Sequence, residues 1–173
     1  MKNQTFYLLA ALCVLTHLIR TVYEILKHKK ILTTNKLTFI IIFTNMAVLW
    51  ISWFAMCGFD AYKIDLPLMI TILGLLLEIL GVVFFLTALF TIKTLEDYSG
   101  DLVTTGIYSK IRHPMYLGFI LWAIGGPIFY GAAVSSVFAL LFIGNILFWR
   151  HLEELELDKR FPGYKDYRTH TWF

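Results

Sequence analysis

The chain has 173 residues, of which 58% are hydrophobic and 16% charged, with a formal net charge of +3. That is more apolar surface than one water-soluble core of this size can bury, so a bilayer is the expected solvent and no nucleic-acid partner is expected. The two cysteines, Cys13 and Cys57, lie inside apolar runs and exclude a secreted disulfide scaffold.

In chain order, residues 6–26 form the first apolar block, with Arg20 and Glu24 one turn apart near its end. It starts like a signal peptide but runs on past His17 and Arg20 with no small-residue cleavage site, so it reads as a retained span. His17, Arg20 and Glu24 fall on one helical side, a spacing expected to give snorkelling and an i,i+4 ion pair. Residues 37–57 form a second, uncharged block and residues 66–92 a third, charged only at Glu78. Glu78 sits mid-span and is costly facing lipid, so it is expected to face the bundle, either as a functional group or in a hydrogen bond to a neighbouring helix. Gly74 and Gly81 would allow a close helix approach.

The fourth block, Met115 to Trp149, has no ionisable residue other than tyrosine and as one helix would be about 52 Å long. It is therefore expected to fold as a hairpin of two spans, turning at Gly125, Gly126 and Pro127. The predicted fold is all-α: five transmembrane helices, the last two a helical hairpin, plus a cytoplasmic helix continuing the last span from Arg150 towards Tyr167. Basic residues cluster at 27–36, at Lys93, Lys110 and Arg112, and in the tail from Arg150 to Arg168. With lysine and arginine retained inside, this predicts an outside amino terminus and a cytoplasmic carboxyl terminus. No repeat or linker appears, so residues 1–173 are read as one domain, its site built from span ends and short connections, with the chemistry in about 100–168.

Two stretches carry that chemistry. In the run from Leu102 to Gly118, Pro114 suits the first turn of a helix, which puts Arg112 and His113 at the membrane surface beside a positive helix end where an anion is favoured. A basic interfacial anchor would use the same residues. The second stretch, Arg150 to Leu157, presents Glu153 and Glu154 in different directions on a helix. One carboxylate can hold a cationic ligand while the other pairs with Arg150 or Arg112; a merely solvated charged helix is the alternative. Five histidines scattered along the chain do not form the clusters of a membrane di-metal oxidase, so no metal is expected. No G-x-G-x-x-G follows a strand, which leaves out a Rossmann-type site.

Together, G-x-Y-x-x-x-R-H-P-x-Y-x-G from Gly106 to Gly118 and R-x-x-E-E-x-x-L from Arg150 to Leu157, followed by the aromatic ending Phe161 to Tyr167, resemble the isoprenylcysteine carboxyl methyltransferase and phospholipid methyltransferase superfamily of membrane enzymes. The resemblance covers the carboxyl-terminal two fifths of the chain. It implies methyl transfer from S-adenosyl-L-methionine to a lipophilic acceptor arriving through the bilayer, an isoprenylcysteine-type carboxylate first and a lipid amine second. It further implies cofactor binding by Gly106, Tyr108, His113, Pro114, Tyr116, Glu153 and Glu154, and catalytic work by Arg112, Glu153 and Arg150, with Arg112 orienting an acceptor carboxylate or closing the site. Phe-Pro-Gly-Tyr replaces the Phe-Gly-x-x-Tyr of many relatives, and the short remainder of the chain leaves little room for a capping tail. An NADPH-dependent sterol-type reductase, which carries a loosely similar R-H-P-x-Y, and a non-catalytic membrane adaptor are the other readings.

Overall fold

The structure is a computed structural model that describes residues 2–92 and 100–173; Lys93, one of the basic residues used for orientation, lies outside them. Among the described residues the regular structure is helical: α1 (Lys2–His28), α2 (Lys36–Gly58), α3 (Leu68–Ile92), a short 3-10 turn (Gly106–Ser109), α4 (Pro114–Tyr130), α5 (Ala133–Arg160) and α6 (Tyr164–His170). Four of these, α1, α2, α3 and α5, are long and apolar enough to cross a membrane, whereas α4 has 17 residues. α5 has 28 residues, about 42 Å of helix, so it exceeds a hydrocarbon core of about 30 Å.

Local chemistry sets the helix ends. α2 begins at a capping box in which the Asn35 side chain accepts from the Leu37 and Thr38 amides while the Thr38 hydroxyl accepts from the Asn35 amide. α5 begins under Asp60, whose buried carboxylate accepts from the Ser135 amide and hydroxyl, both at 2.6 Å, and from the Tyr62 amide at 2.8 Å. The Asp60 loop also pairs with the α4–α5 turn, through Ile64 N–H to Gly131 O and Ala133 N–H to Tyr62 O.

That turn falls later than the sequence predicts. α4 continues through Gly125, Gly126 and Pro127 to Tyr130, and Gly131 supplies the reversal with φ of 59°. The two earlier glycines are spent on packing. A Cβ on Gly125 would lie 2.9 Å from the Gly74 carbonyl of α3, and one on Gly126 would meet Cys57 and Trp53 of α2 at 3.4 Å. Pro127 sits in the last turn of α4, where its missing N–H costs a single helical bond.

α3 and α4 pack along their lengths through small residues, Gly74 and Gly81 against Gly118 and Gly125. The close approach that the glycines of the third block allow is thus used within the chain. α1 packs on α2 and α5, where buried His17 and Trp149 join half-buried Thr21 and Asn145 in a polar cluster: the Asn145 amide stands 3.1 Å from His17 Nδ1, and the Trp149 ring N–H donates to Thr21 Oγ1 at 3.0 Å. α2 and α3 share no continuous packing, so an aromatic face of α2 opens between them.

The last helix does not run unbroken to Tyr167. α5 ends at Arg160, because Pro162 disfavours helical backbone at Phe161, which sits at φ −118° and ψ 110°, and a new short helix starts at Tyr164.

Candidate active site

The approach to α4 is shaped by its sequence. Gly106 takes φ of 60°, which lets the chain turn beside Thr91 at the end of α3. The following 3-10 turn buries Tyr108, and Pro114 occupies the first turn of α4 as expected, with His113 at the cap position. Arg112 and His113 therefore emerge at the end of the bundle where α5 leaves the apolar region.

There the two sequence stretches meet. Glu154 Oε1 lies 3.4 Å from both Arg112 Nε and His113 Nε2, and the Tyr164 hydroxyl stands 3.4 Å from the same imidazole nitrogen. The Arg112 guanidinium also donates to the Thr171 carbonyl at 2.5 Å and the Arg168 carbonyl at 3.1 Å. Residues 171–173 lie against this loop. Trp172 N–H bonds Lys110 O, and Arg112 and His113 N–H bond the carbonyls of Trp172 and Phe173. Phe173 packs against the buried cluster of Leu49, Tyr116, Ile146 and Trp149, with the Arg150 guanidinium over its ring at 4.5 Å. Tyr167 donates to the Tyr108 carbonyl at 2.6 Å, which ties α6 to the 3-10 turn.

These contacts enclose one side of a cavity of about 450 Å³, a size suited to a small organic ligand. Its polar end is formed by Arg112, His113, Glu153 and Glu156, with Arg20 and Glu24 from α1. Its other end is aromatic, lined by Phe43, Trp50, Phe85, Phe119 and Trp122 at the gap between α2 and α3. Burial pushes the Tyr108 and Tyr164 phenols well up, with the charge of Glu153 adding at the first and that of Glu154 at the second. Both remain neutral donors at any physiological pH.

Of the residues singled out from sequence, Tyr108, Arg112, His113, Tyr116 and Glu153 line this cavity. The other four stand behind it: Gly106 shapes the loop, Pro114 starts α4, Glu154 pins Arg112 and His113, and Arg150 lies over Phe173. Three contributions were not foreseen. The Arg20–Glu24 pair forms, as its spacing predicts, but its side chains are only 13% and 10% exposed and face the cavity rather than solvent. The α2 stripe Phe39, Phe43, Met46, Trp50 and Phe54, spaced by three and four residues, lines the apolar end. Thr171 to Phe173 brace the loop. Glu78 stands apart, against Gly125 and Gly126 of α4, with Oε1 buried and without a hydrogen-bond partner among the described residues.

Comparison with known proteins gives two results. The family described as NnrU protein matches residues 5–172. Among curated proteins, the chain is similar to protein-S-isoprenylcysteine O-methyltransferase of Saccharomyces cerevisiae, 46% identical over 63 residues, or 32% of this chain and 26% of that protein. It is similar to the protein of the same name in Schizosaccharomyces pombe, 42% identical over 53 residues (31% and 20%), and to protein-S-isoprenylcysteine O-methyltransferase B of Arabidopsis thaliana, 32% identical over 90 residues (47% and 43%). The matches thus span less than half the length of each of these relatives. No solved structure matches.

Proposed function

The chain belongs to the NnrU protein family, and on that premise we propose that it is a membrane methyltransferase that uses S-adenosyl-L-methionine to methylate the carboxylate of a lipophilic, isoprenylcysteine-type acceptor. The observation that carries this reading is a single cavity with a polar end and an aromatic end, built where the two motif stretches meet. Relatives named for O-methylation of isoprenylcysteine support the choice of acceptor.

The polar end fits the donor. Glu153 and Glu156 offer carboxylates to the amino and hydroxyl groups of a nucleoside amino acid, and Tyr108 and Tyr116 offer ring faces and neutral hydroxyls beside them. His113, held by Glu154 and Tyr164, is oriented for a hydrogen bond rather than left to rotate. When bound, S-adenosyl-L-methionine supplies a methyl group on a sulfonium, ready for in-line displacement by an acceptor oxygen. What the protein contributes is alignment and exclusion of water. A carboxylate acceptor is already a nucleophile, so no side chain has to remove a proton. Arg112, fastened to the Arg168 and Thr171 carbonyls, serves in this reading to close the site, with Arg150 holding Phe173 beneath it.

The same reading implies a topology. α4, about 25 Å long, is the fifth and shortest crossing, and α4 with α5 forms a hairpin. The ends bearing Lys27, Arg112 and Arg160 are cytoplasmic, the amino terminus is outside, and the chain is one domain. The aromatic end opens towards the bilayer between α2 and α3, where a prenyl chain enters sideways. The test is transfer of labelled methyl from S-adenosyl-L-methionine to S-farnesylcysteine by the detergent-purified chain. Label in a base-labile ester supports O-methylation, label stable to base points to an amine acceptor, and no label above an inactive control contradicts the proposal.

A further inference from the structure

We propose that Trp122 is the floor of the acceptor groove and limits the prenyl chain it holds to the length of a farnesyl group. The inference rests on the methyltransferase reading and deepens it, because that reading names an isoprenylcysteine-type acceptor without saying which chain the site prefers. Trp122 belongs to neither motif stretch.

Contacts along the helices set the levels. Trp50 of α2 packs against Phe119 of α4, and Cys57, further along α2, faces Gly126, so α2 and α4 run together away from the polar end. α3 runs the other way: a Cβ on Gly118 would meet the Phe85 amide nitrogen at 3.3 Å, and one on Gly74 the Phe129 amide nitrogen at 2.5 Å. The deepest residues that line the cavity on these three helices are therefore Phe54, Phe85 and Trp122. Their rings close on one another, with the Trp122 centroid 6.2 Å from that of Phe54 and 5.6 Å from that of Phe85. Beyond them, Cys57 and Glu78 stand against Gly126, outside the cavity lining.

A floor must also resist being pushed aside. The Trp122 ring N–H donates to the Glu78 carbonyl of α3 at 3.2 Å, and the Trp122 carbonyl accepts from the Trp53 ring N–H of α2 at 3.3 Å. The indole rests on the bare backbone of Gly81, where a Cβ would lie 2.7 Å from Cδ1 and 2.8 Å from Nε1. Swinging the ring away would strip its N–H of a partner in apolar surroundings, which is costly. Trp122 thus ties α2, α3 and α4 together at the level where the cavity stops.

The depth above this floor selects a chain. The acceptor's reacting head must sit at the polar end, beside His113 at the start of α4. From Pro114 to Trp122 is eight residues of helix, about 12 Å. That is close to the extended length of a farnesyl group and short of a geranylgeranyl group. A shorter chain leaves part of the groove unfilled, and a longer one must bend out between α2 and α3 and give up enclosed contacts.

The experiment measures binding to the full chain in one detergent, saturated with S-adenosylhomocysteine. S-Geranyl-, S-farnesyl- and S-geranylgeranylcysteine are compared. The wild type is expected to bind the farnesyl compound most tightly, by about tenfold or more over the geranylgeranyl one. Trp122→Ala should move the geranylgeranyl-to-farnesyl affinity ratio by about tenfold in favour of the longer chain, and Trp122→Phe by less. Phe54→Ala, which opens the same floor from α2, should move it in the same direction. Measuring the change in this ratio between proteins cancels the micelle's own preference, and loss of structure would lower all three affinities together. A wild type that binds the geranylgeranyl compound as well as the farnesyl one overturns the assignment. So does a ratio that stays unchanged in folded Trp122→Ala or, should that variant fail to fold, in Trp122→Phe and Phe54→Ala. Wild-type protein that binds no S-adenosylhomocysteine contradicts the methyltransferase reading instead.

Discussion

Glu154 stands 3.4 Å from the His113 imidazole, yet its neighbour Glu153 points into the cavity. Two adjacent carboxylates, about 100° apart around α5, therefore do different jobs. Glu154→Gln should weaken the anchoring of the Arg112–His113 loop and destabilise the fold by about 1–3 kcal/mol, read as a lower midpoint in thermal unfolding. Glu153→Gln should leave that midpoint nearly unchanged and weaken S-adenosylhomocysteine by about tenfold or more. Equal effects of the two variants on both measurements would contradict the division of labour.

At its facing glycines, the contact of α3 with α4 leaves no room for a side chain. A Cβ on Gly118 would lie 2.7 Å from the Gly81 carbonyl, whereas one on Gly144 would meet nothing within 4 Å. Gly118→Val should destabilise by about 1–3 kcal/mol or more by forcing the helices apart. Gly144→Ala should be neutral or stabilising by up to about 1 kcal/mol. Paired melting curves in one detergent decide the matter.

Asp60 caps α5 at the end of the bundle away from the cavity, taking the Ser135 amide and hydroxyl. Asp60→Ala should cost about 1–3 kcal/mol, since it leaves buried donors unmet. Ligand affinity at the far end should be retained in the fraction that folds. Lost affinity in well-folded protein would show that the two ends are coupled.

Trp50 lines the aromatic end and packs against Phe119, tilted, and Trp122, edge to face, at ring-centroid distances of 5.2 and 5.0 Å. Trp50→Ala should raise KM for a farnesylated acceptor by about tenfold or more and spare S-adenosylhomocysteine binding. A selective loss of nucleoside affinity instead would place the acceptor elsewhere.

Much of this site was legible because its motifs combine backbone-determining residues with charged ones. Gly106 and Pro114 fix a turn and a helix start, and so bring Arg112 and His113 to a helix in α5 that carries two glutamates. Arg20 and Glu24 were seen but not located, since an i,i+4 pair has the same spacing on a solvated surface and on a cavity wall. The α2 stripe was hidden by its surroundings: every face of α2 is apolar, so no contrast marks the one that lines a groove. The position of the last turn was misjudged because Gly125 and Gly126 carry a helix contact, a use of glycine that only the partner helix discloses. The bracing role of Thr171 to Phe173 rests largely on main-chain atoms, the carbonyls and amide that meet Lys110, Arg112 and His113, which side-chain identity does not encode.

Calorimetric titration of the detergent-purified chain with S-adenosylhomocysteine, with NADPH as the control nucleotide, addresses the nature of the cavity most directly. Saturable one-to-one binding of S-adenosylhomocysteine, lost in Glu153→Gln and His113→Ala and not reproduced by NADPH, is the expected result. Folded protein that gives no saturable heat with S-adenosylhomocysteine at millimolar concentration, or that prefers NADPH, would contradict it.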